Sequence, residues 1–133
     1  MPCDYIVRPY RLGDEEGIVE LLELVFDGWP HFDLQYTPLD HWRWKHEDNP
    51  LKTNMISLGI IGGKIISCLH TIPRMMKIGD KVFLSWERVD GAVHPDFRRM
   101  GLFNKMSELT YESMMMNGIK IQYGNTSKLL ELV

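Results

Sequence analysis

The chain has 133 residues, a formal net charge of −3, 44% hydrophobic residues and 25% charged residues. That length supports one small domain, 1–133, with a sizeable core, and the slightly acidic balance lacks the basic field that nucleic-acid binding needs. There is no apolar run of about 18 residues and no secretory pattern at the start, and Cys3 and Cys68 have neither a CxxC partner nor metal-ligand spacing, so a reduced cytoplasmic protein without membrane contact is expected.

Tyr5-Ile6-Val7-Arg8-Pro9-Tyr10 predicts a first strand. Gly13-Asp14-Glu15-Glu16 opens a helix, with Asp14 as the cap and an acidic first turn that suits the helix dipole. Ile18, Leu21, Leu22, Val25 and Phe26 share one helical face, Glu20 and Glu23 the other, and Asp27-Gly28 ends the helix before Pro30. Between Trp29 and Pro50 the pattern is irregular and rich in His31, Phe32, Tyr36, His41, Trp42, Trp44 and His46. Thr37 as cap and Pro38 at the first helical position predict a short helix to about His46, with Leu39, Trp42 and His46 on adjoining faces. His41 and His46 are five apart, not three or four, so no metal site is expected. Two readings of this segment stay open: a lid or wall element whose tryptophans pack on the sheet, or a substrate-facing segment.

Asn54–Ile61 and Lys64–Arg74 predict two strands joined by a Gly62-Gly63 hairpin turn, the second bending or leaving the sheet edge at Pro73. Met75–Ile78 continue that strand in one reading, and Gly79-Asp80-Lys81 turn the chain again. Val82 to Val93 form the next strand, which His94-Pro95-Asp96 breaks. From Leu102 to Met116 the apolar spacing is helical, ending at Asn117-Gly118. Met106, Met114, Met115 and Met116 are expected as core or hinge filler and not as a binding surface. Ile119–Tyr123 then predict a strand parallel to the one before the helix, with Tyr123 in the core. Gly124–Lys128 reads as a turn, and Leu129–Val133 as the beginning of a further helix. The order is β-α-(α)-β-β-β-α-β.

The strand, the turn and the helix around Val93–Phe103 form a seat for an anion. The first N–H groups of a helix lack internal partners, its dipole adds positive charge, and Arg98 and Arg99 add full charges. Val93-His94-Pro95-Asp96-Phe97-Arg98-Arg99-Met100-Gly101-Leu102-Phe103 resembles the GNAT superfamily of acyl-CoA-dependent N-acyltransferases. It is similar to that family's strand ending in V-x-P followed by Q/R-x-x-G-x-G/A, with Arg98 at the Gln/Arg position and Gly101 at the first glycine. Phe103 stands where the family usually has Gly or Ala, as in branches that read G-x-F. The Tyr5–Pro9 start followed by Gly13-Asp14 is also similar, and the resemblance runs from about Tyr5 to Asn125.

The resemblance implies an α/β domain of the α+β type, a GNAT-like mixed sheet in which an antiparallel meander precedes a β-α-β crossover. It implies acetyl-CoA as co-substrate, with the pantetheine arm along the backbone at Ala92 and Val93. The pyrophosphate would lie on Arg98, Arg99, Met100, Gly101, Leu102 and Phe103, with Asn125 close to the cofactor. The implied reaction is attack of a small-molecule or peptide amine on the thioester. Glu87 and Asp90 are candidates for the base; three apart on a strand, they are expected on opposite faces, and the family's preference is for Glu87. Family members continue past this point with a helix and two strands, so the chain is expected to be short at its C-terminus or completed by a homodimer. A non-catalytic acyl-CoA-binding module, a truncated remnant and a plain interaction domain remain as alternatives.

Overall fold

The computed structural model describes residues 4–31 and 35–124. The strands β1 (Ile6–Pro9), β2 (Ile56–Ile61), β3 (Lys64–Ile78), β4 (Lys81–Val93) and β5 (Ile121–Gly124) form one sheet in sequence order. The first four are antiparallel to their neighbours, while β4 and β5 are parallel. Helices α1 (Glu15–Val25), α2 (Pro38–His46) and α3 (Leu102–Met116) complete the order expected from the sequence. Cys3, Phe32, Asn125 and the expected turn and helix beyond it lie outside the described residues.

Local chemistry sets most boundaries. Gly62 and Gly63 both have positive φ, 56° and 79°, as a two-residue hairpin of the primed type requires. Thr37 Oγ1 accepts from Asp40 N at 3.1 Å and starts α2 as expected. Asp14 behaves differently. Its side chain does not cap α1; it accepts from both terminal nitrogens of Arg8, at 2.8 and 3.0 Å, and from Arg11 N at 2.7 Å. A guanidinium is a stronger, bidentate donor than a helix amide, so the carboxylate turns to the strand and ties β1 to the start of α1.

Pro73 does not end its strand, and β3 continues to Ile78 opposite β4. The register of β2 stops at Ile56↔His70, so Pro73 lies where β3 has become an edge and the missing N–H breaks no ladder on that side. Beyond Arg74↔Ser85 the two strands form a ribbon out to Ile78↔Lys81, on which Met75, Ile78 and Val82 are exposed.

The sheet separates two core layers. Ile18, Leu22, Trp42, Leu58, Cys68 and Ala92 fill the layer under α1 and α2. Ile66, Leu69, Val93, Leu102 and Met106 fill the layer under α3, and Trp86 meets Met114 and Ile119 further along. Met106, Thr110 and Met114 form the buried stripe of α3 at four-residue steps. Met115 and Met116 fall off that stripe and are 63% and 88% exposed, so they are surface residues and not core filler.

The start of α3 presses on β2 at Gly59. A Cβ there would lie 2.1 Å from Ser67 Oγ and 2.7 Å from Leu102 Cδ2. Gly59→Ala is therefore expected to destabilise the fold by about 1–3 kcal/mol through overpacking, read as a lower urea midpoint. Adding Ser67→Ala should recover part of the loss; no recovery would mean that the clash with Leu102 dominates.

Candidate active site

The turn after β4 is built from short-range bonds. His94 N donates to Ile66 O at 2.7 Å, and Phe97 N to His94 O at 2.9 Å. His94 Nδ1 accepts from Asp96 N at 3.1 Å and starts a single 3-10 turn over Pro95–Phe97. Arg99 (φ 64°) and Gly101 (φ 81°) are both left-handed, so the chain doubles back just before α3. Tyr5 Oη donates to Met100 O at 3.0 Å and fastens the turn to the N-terminal segment. Lys105 N bonds to Gly101 O at 3.0 Å as the helical pattern begins, so the amides of Leu102, Phe103 and Asn104 have no intrahelical acceptor.

Arg98 to Phe103 are thus brought together at one helix start. The Arg98 side chain turns inward, with Nε donating to Val93 O at 3.2 Å. Ala92 and Val93 are each 1% exposed and belong to opposite core layers, so only their backbone could meet a ligand. The β4–β5 ladder runs from Ser85↔Ile121 to Arg88↔Gly124, and Val89 to Val93 lie beyond its described end.

Glu87 and Asp90 do not face opposite ways. β4 pairs Val89 with His70 and Ala92 with Cys68, so it carries one residue more than β3 across this step. Asp90 is left-handed at φ 49°, which makes the step a bulge. The bulge removes the alternation on which the sequence expectation relied. Glu87 is opposite Ile72, on the His70 side of the sheet, and the Asp90 carboxylate reaches His46 on that same side.

Glu87 accepts from Arg74 Nε and lies 3.4 Å from Tyr123 Oη. Tyr123 is therefore half-buried beside a carboxylate and is not a core residue. Partial burial, with the Glu87 charge next to it, pushes its phenol up.

Asp90 is more deeply held. Lys45 Nζ and His46 Nε2 sit 2.8 and 2.9 Å from Oδ2, and Trp29 Nε1 donates to Oδ1 at 3.3 Å. Burial alone would raise this carboxyl, but the His46 hydrogen bond and the Lys45 charge outweigh it and hold the group well below the usual carboxylate range. The Asp90 carbonyl accepts from His70 Nδ1 at 2.9 Å and from Cys68 Sγ at 3.4 Å. Trp42 Nε1 donates to His70 Nε2 at 3.0 Å, which places the His70 proton on Nδ1. Burial pushes the Cys68 thiol up, away from nucleophilic thiolate chemistry.

His46, His70 and Asp90 present ligand-type atoms within 4.8 Å of one another. The arrangement does not fit a cation. Both nitrogens of His70 are engaged, and the Lys45 ammonium stands on the carboxylate where a metal would. The sequence offered two signals for this cluster. His70 is a polar residue inside an apolar strand, and Trp42, Lys45 and His46 stand at helical spacings of three and four.

A cavity of 350 Å³ opens beside the bulge, lined among others by Phe26, Trp29, His41, Lys45 and Asp90. Trp29 and His41 meet edge to face at 5.2 Å between ring centroids. Of the two readings of the irregular segment, the structure shows the packing of a tryptophan on the sheet, and it also places a cavity beside this segment. Trp42 packs on the sheet and Trp29 walls a cavity, while Trp44 is 66% exposed.

The acetyltransferase (GNAT) domain matches residues 6–129, and the chain belongs to that family. Its fold is similar to a probable N-acyltransferase of unknown function from Enterococcus faecalis V583 (TM-score 0.77, 10% identity), covering 92% of this chain and 29% of that one. It is also similar to a predicted acetyltransferase from Clostridium acetobutylicum, solved with acetyl-CoA (TM-score 0.75, 14% identity, 95% and 83% covered). A third is glucosamine-6-phosphate N-acetyltransferase from Arabidopsis thaliana (TM-score 0.70, 16% identity, 94% and 84% covered). No curated protein sequence matches this one. Among the described residues no helix is long and apolar enough to cross a membrane.

The buried imidazoles make stability depend on pH. Burial pushes His70 from 6.5 down to about 3, and burial also lowers His46. Below 6.5 the unfolded chain takes up protons that the folded chain refuses, so the contribution is complete above that pH and is lost as the pH falls toward 3. Each such histidine gives a slope of about 1.4 kcal/mol per pH unit within its window. Urea midpoints should therefore fall from pH 7 to pH 5, and His70→Asn should flatten the fall; an unchanged slope would place the titration elsewhere.

Proposed function

We propose that the chain transfers an acetyl group from acetyl-CoA to a primary amine by direct attack. The observation that carries this reading is the turn from Arg98 to Phe103. Two left-handed residues and a helix start present amides at the end of a strand whose described parallel ladder stops five residues short of Val93. Amides at a helix N-terminus suit a pyrophosphate, and Gly101 leaves room for its approach. The backbone at Ala92 and Val93 offers a surface along which an extended pantetheine arm pairs, as a strand would, with the thioester toward Val89.

Glu87 is the base in this reading. The amine nitrogen forms the C–N bond, the C–S bond breaks, the amine proton passes to the Glu87 carboxylate directly or through water, and the thiolate is protonated from solvent. Arg74 and Tyr123 hold the carboxylate in place. Asp90 does not share this role, because both of its oxygens already have donors. The acceptor enters by the cavity beside Trp29 and His41, whose aromatic walls suit an amine carried on a flat or apolar body.

Two substitutions separate binding from chemistry. Gly101→Val forces a β-branched residue into a left-handed backbone, and is expected to abolish acetyl-CoA binding in titration calorimetry while the circular dichroism stays native. Unchanged affinity would remove the turn from the cofactor site. Glu87→Gln is expected to slow thiol release with an amine panel by about 100-fold, at unchanged acetyl-CoA affinity. An unaffected rate would exclude Glu87 as the base.

A further inference from the structure

The bulge places its left-handed backbone on Asp90 although glycine stands next to it at position 91. A glycine would take that conformation without strain, so the aspartate is there for its side chain. Its carboxylate is gripped by Lys45, His46 and Trp29, and its carbonyl by His70 and Cys68. Three of these contacts trace back to one face of one helix. Trp42, Lys45 and His46 are spaced three and four apart on α2, and Trp42 acts through His70. His46 stacks on His70 at 4.1 Å between ring centroids, which locks the two imidazoles as a unit. Helix α2 buries Trp42 and His46; His46 reaches Asp90 of β4 directly, and Trp42 reaches it through His70 of β3.

We propose that α2 is a positioning device for the acyl end of the co-substrate. Lys45 and His46 hold Asp90, and through it they fix the backbone of Val89 to Gly91, toward which the thioester end of the pantetheine arm points. The proposal rests on the acyltransferase reading above. In that reading the pyrophosphate is held by the turn at Arg98–Phe103, well along the chain from the bulge. The grip on Asp90 therefore governs recognition of the acetyl group and leaves recognition of the CoA body alone. Lys45, His46 and Trp42 are positioning residues, since they act on the ligand only through β4.

Calorimetric titration of acetyl-CoA and of free CoA into the full chain separates the two contributions. His46→Leu and Asp90→Gly are compared with the wild type, with His46→Gln as rescue, because its amide nitrogen can replace Nε2 as donor. Asp90→Gly keeps the left-handed backbone accessible, and Lys45→Met, at a more exposed position, supplies a variant that folds independently of the buried imidazoles. Thermal melts report folding of each. The wild type is expected to prefer acetyl-CoA. His46→Leu, Asp90→Gly and Lys45→Met should each lower acetyl-CoA affinity about ten-fold with CoA affinity nearly unchanged, and His46→Gln should restore most of the preference. Equal loss for both ligands, or no loss for either, overturns the proposal and leaves the acyltransferase reading standing. Failure of the wild type to bind either ligand overturns that reading, and this proposal with it.

Discussion

The structure turns on one register slip between its two longest strands. Between Cys68 and His70, β4 spends an extra residue, and Asp90 takes up the slack in a left-handed conformation. That residue is costly on its own, by about 1–2 kcal/mol for a side chain in this region. It persists because five neighbours from β3, α2 and the segment after α1 converge on it. A buried carboxylate with a full set of partners is a rigid element; with one partner removed it is a source of instability. The same slip turns Glu87 and Asp90 to one side of the sheet and opens the cavity beside Trp29 onto β4.

The other half of the site is anchored from a different direction. The turn before α3 is tied to Tyr5, and the first residue of α3, Leu102, is seated against Gly59 of β2. The Arg8–Asp14 ion pair connects β1 to α1 in turn. The amides at the start of α3 are therefore positioned by the N-terminal strands, while the bulge is positioned by α2. Two scaffolds converge on one stretch of β4 and the turn after it, each with its own set of contacts.

Legibility in the sequence followed the range of the interaction. The Gly62-Gly63 hairpin, the Thr37-Pro38 helix start and the full span of α3 were readable because a few adjacent residues decide them. The turn from Arg98 to Gly101 was readable for the same reason. Asp14 stands at the cap position, but its side chain is drawn away by Arg8, a partner on another element that no local pattern shows. The bulge depends on the pairing of two strands, and its one local mark in β4 is the Asp90-Gly91 pair in the strand interior. The role of His46 was hidden by the 44 residues that separate it from Asp90. Spacing rules for metal ligands compare histidines with one another, and here the partner was a distant carboxylate. Tyr123 was expected in the core because an aromatic on a strand usually is, yet its hydroxyl finds Glu87 across the parallel pair.

The ribbon that β3 and β4 form beyond Arg74 and Ser85 gives the site a second timescale. Its exposed Met75, Ile78 and Val82 show how little buried apolar surface holds it. A two-stranded ribbon is marginal by itself, and such regions open at free energies far below that of the whole domain. Arg74 stands at the base of this ribbon and is also the ion-pair partner of Glu87. Each fraying event that reaches the base releases that carboxylate from its cation. The orientation of Glu87 is thus coupled to the breathing of a surface hairpin, whereas Asp90, with its partners drawn from the domain interior, keeps its place throughout.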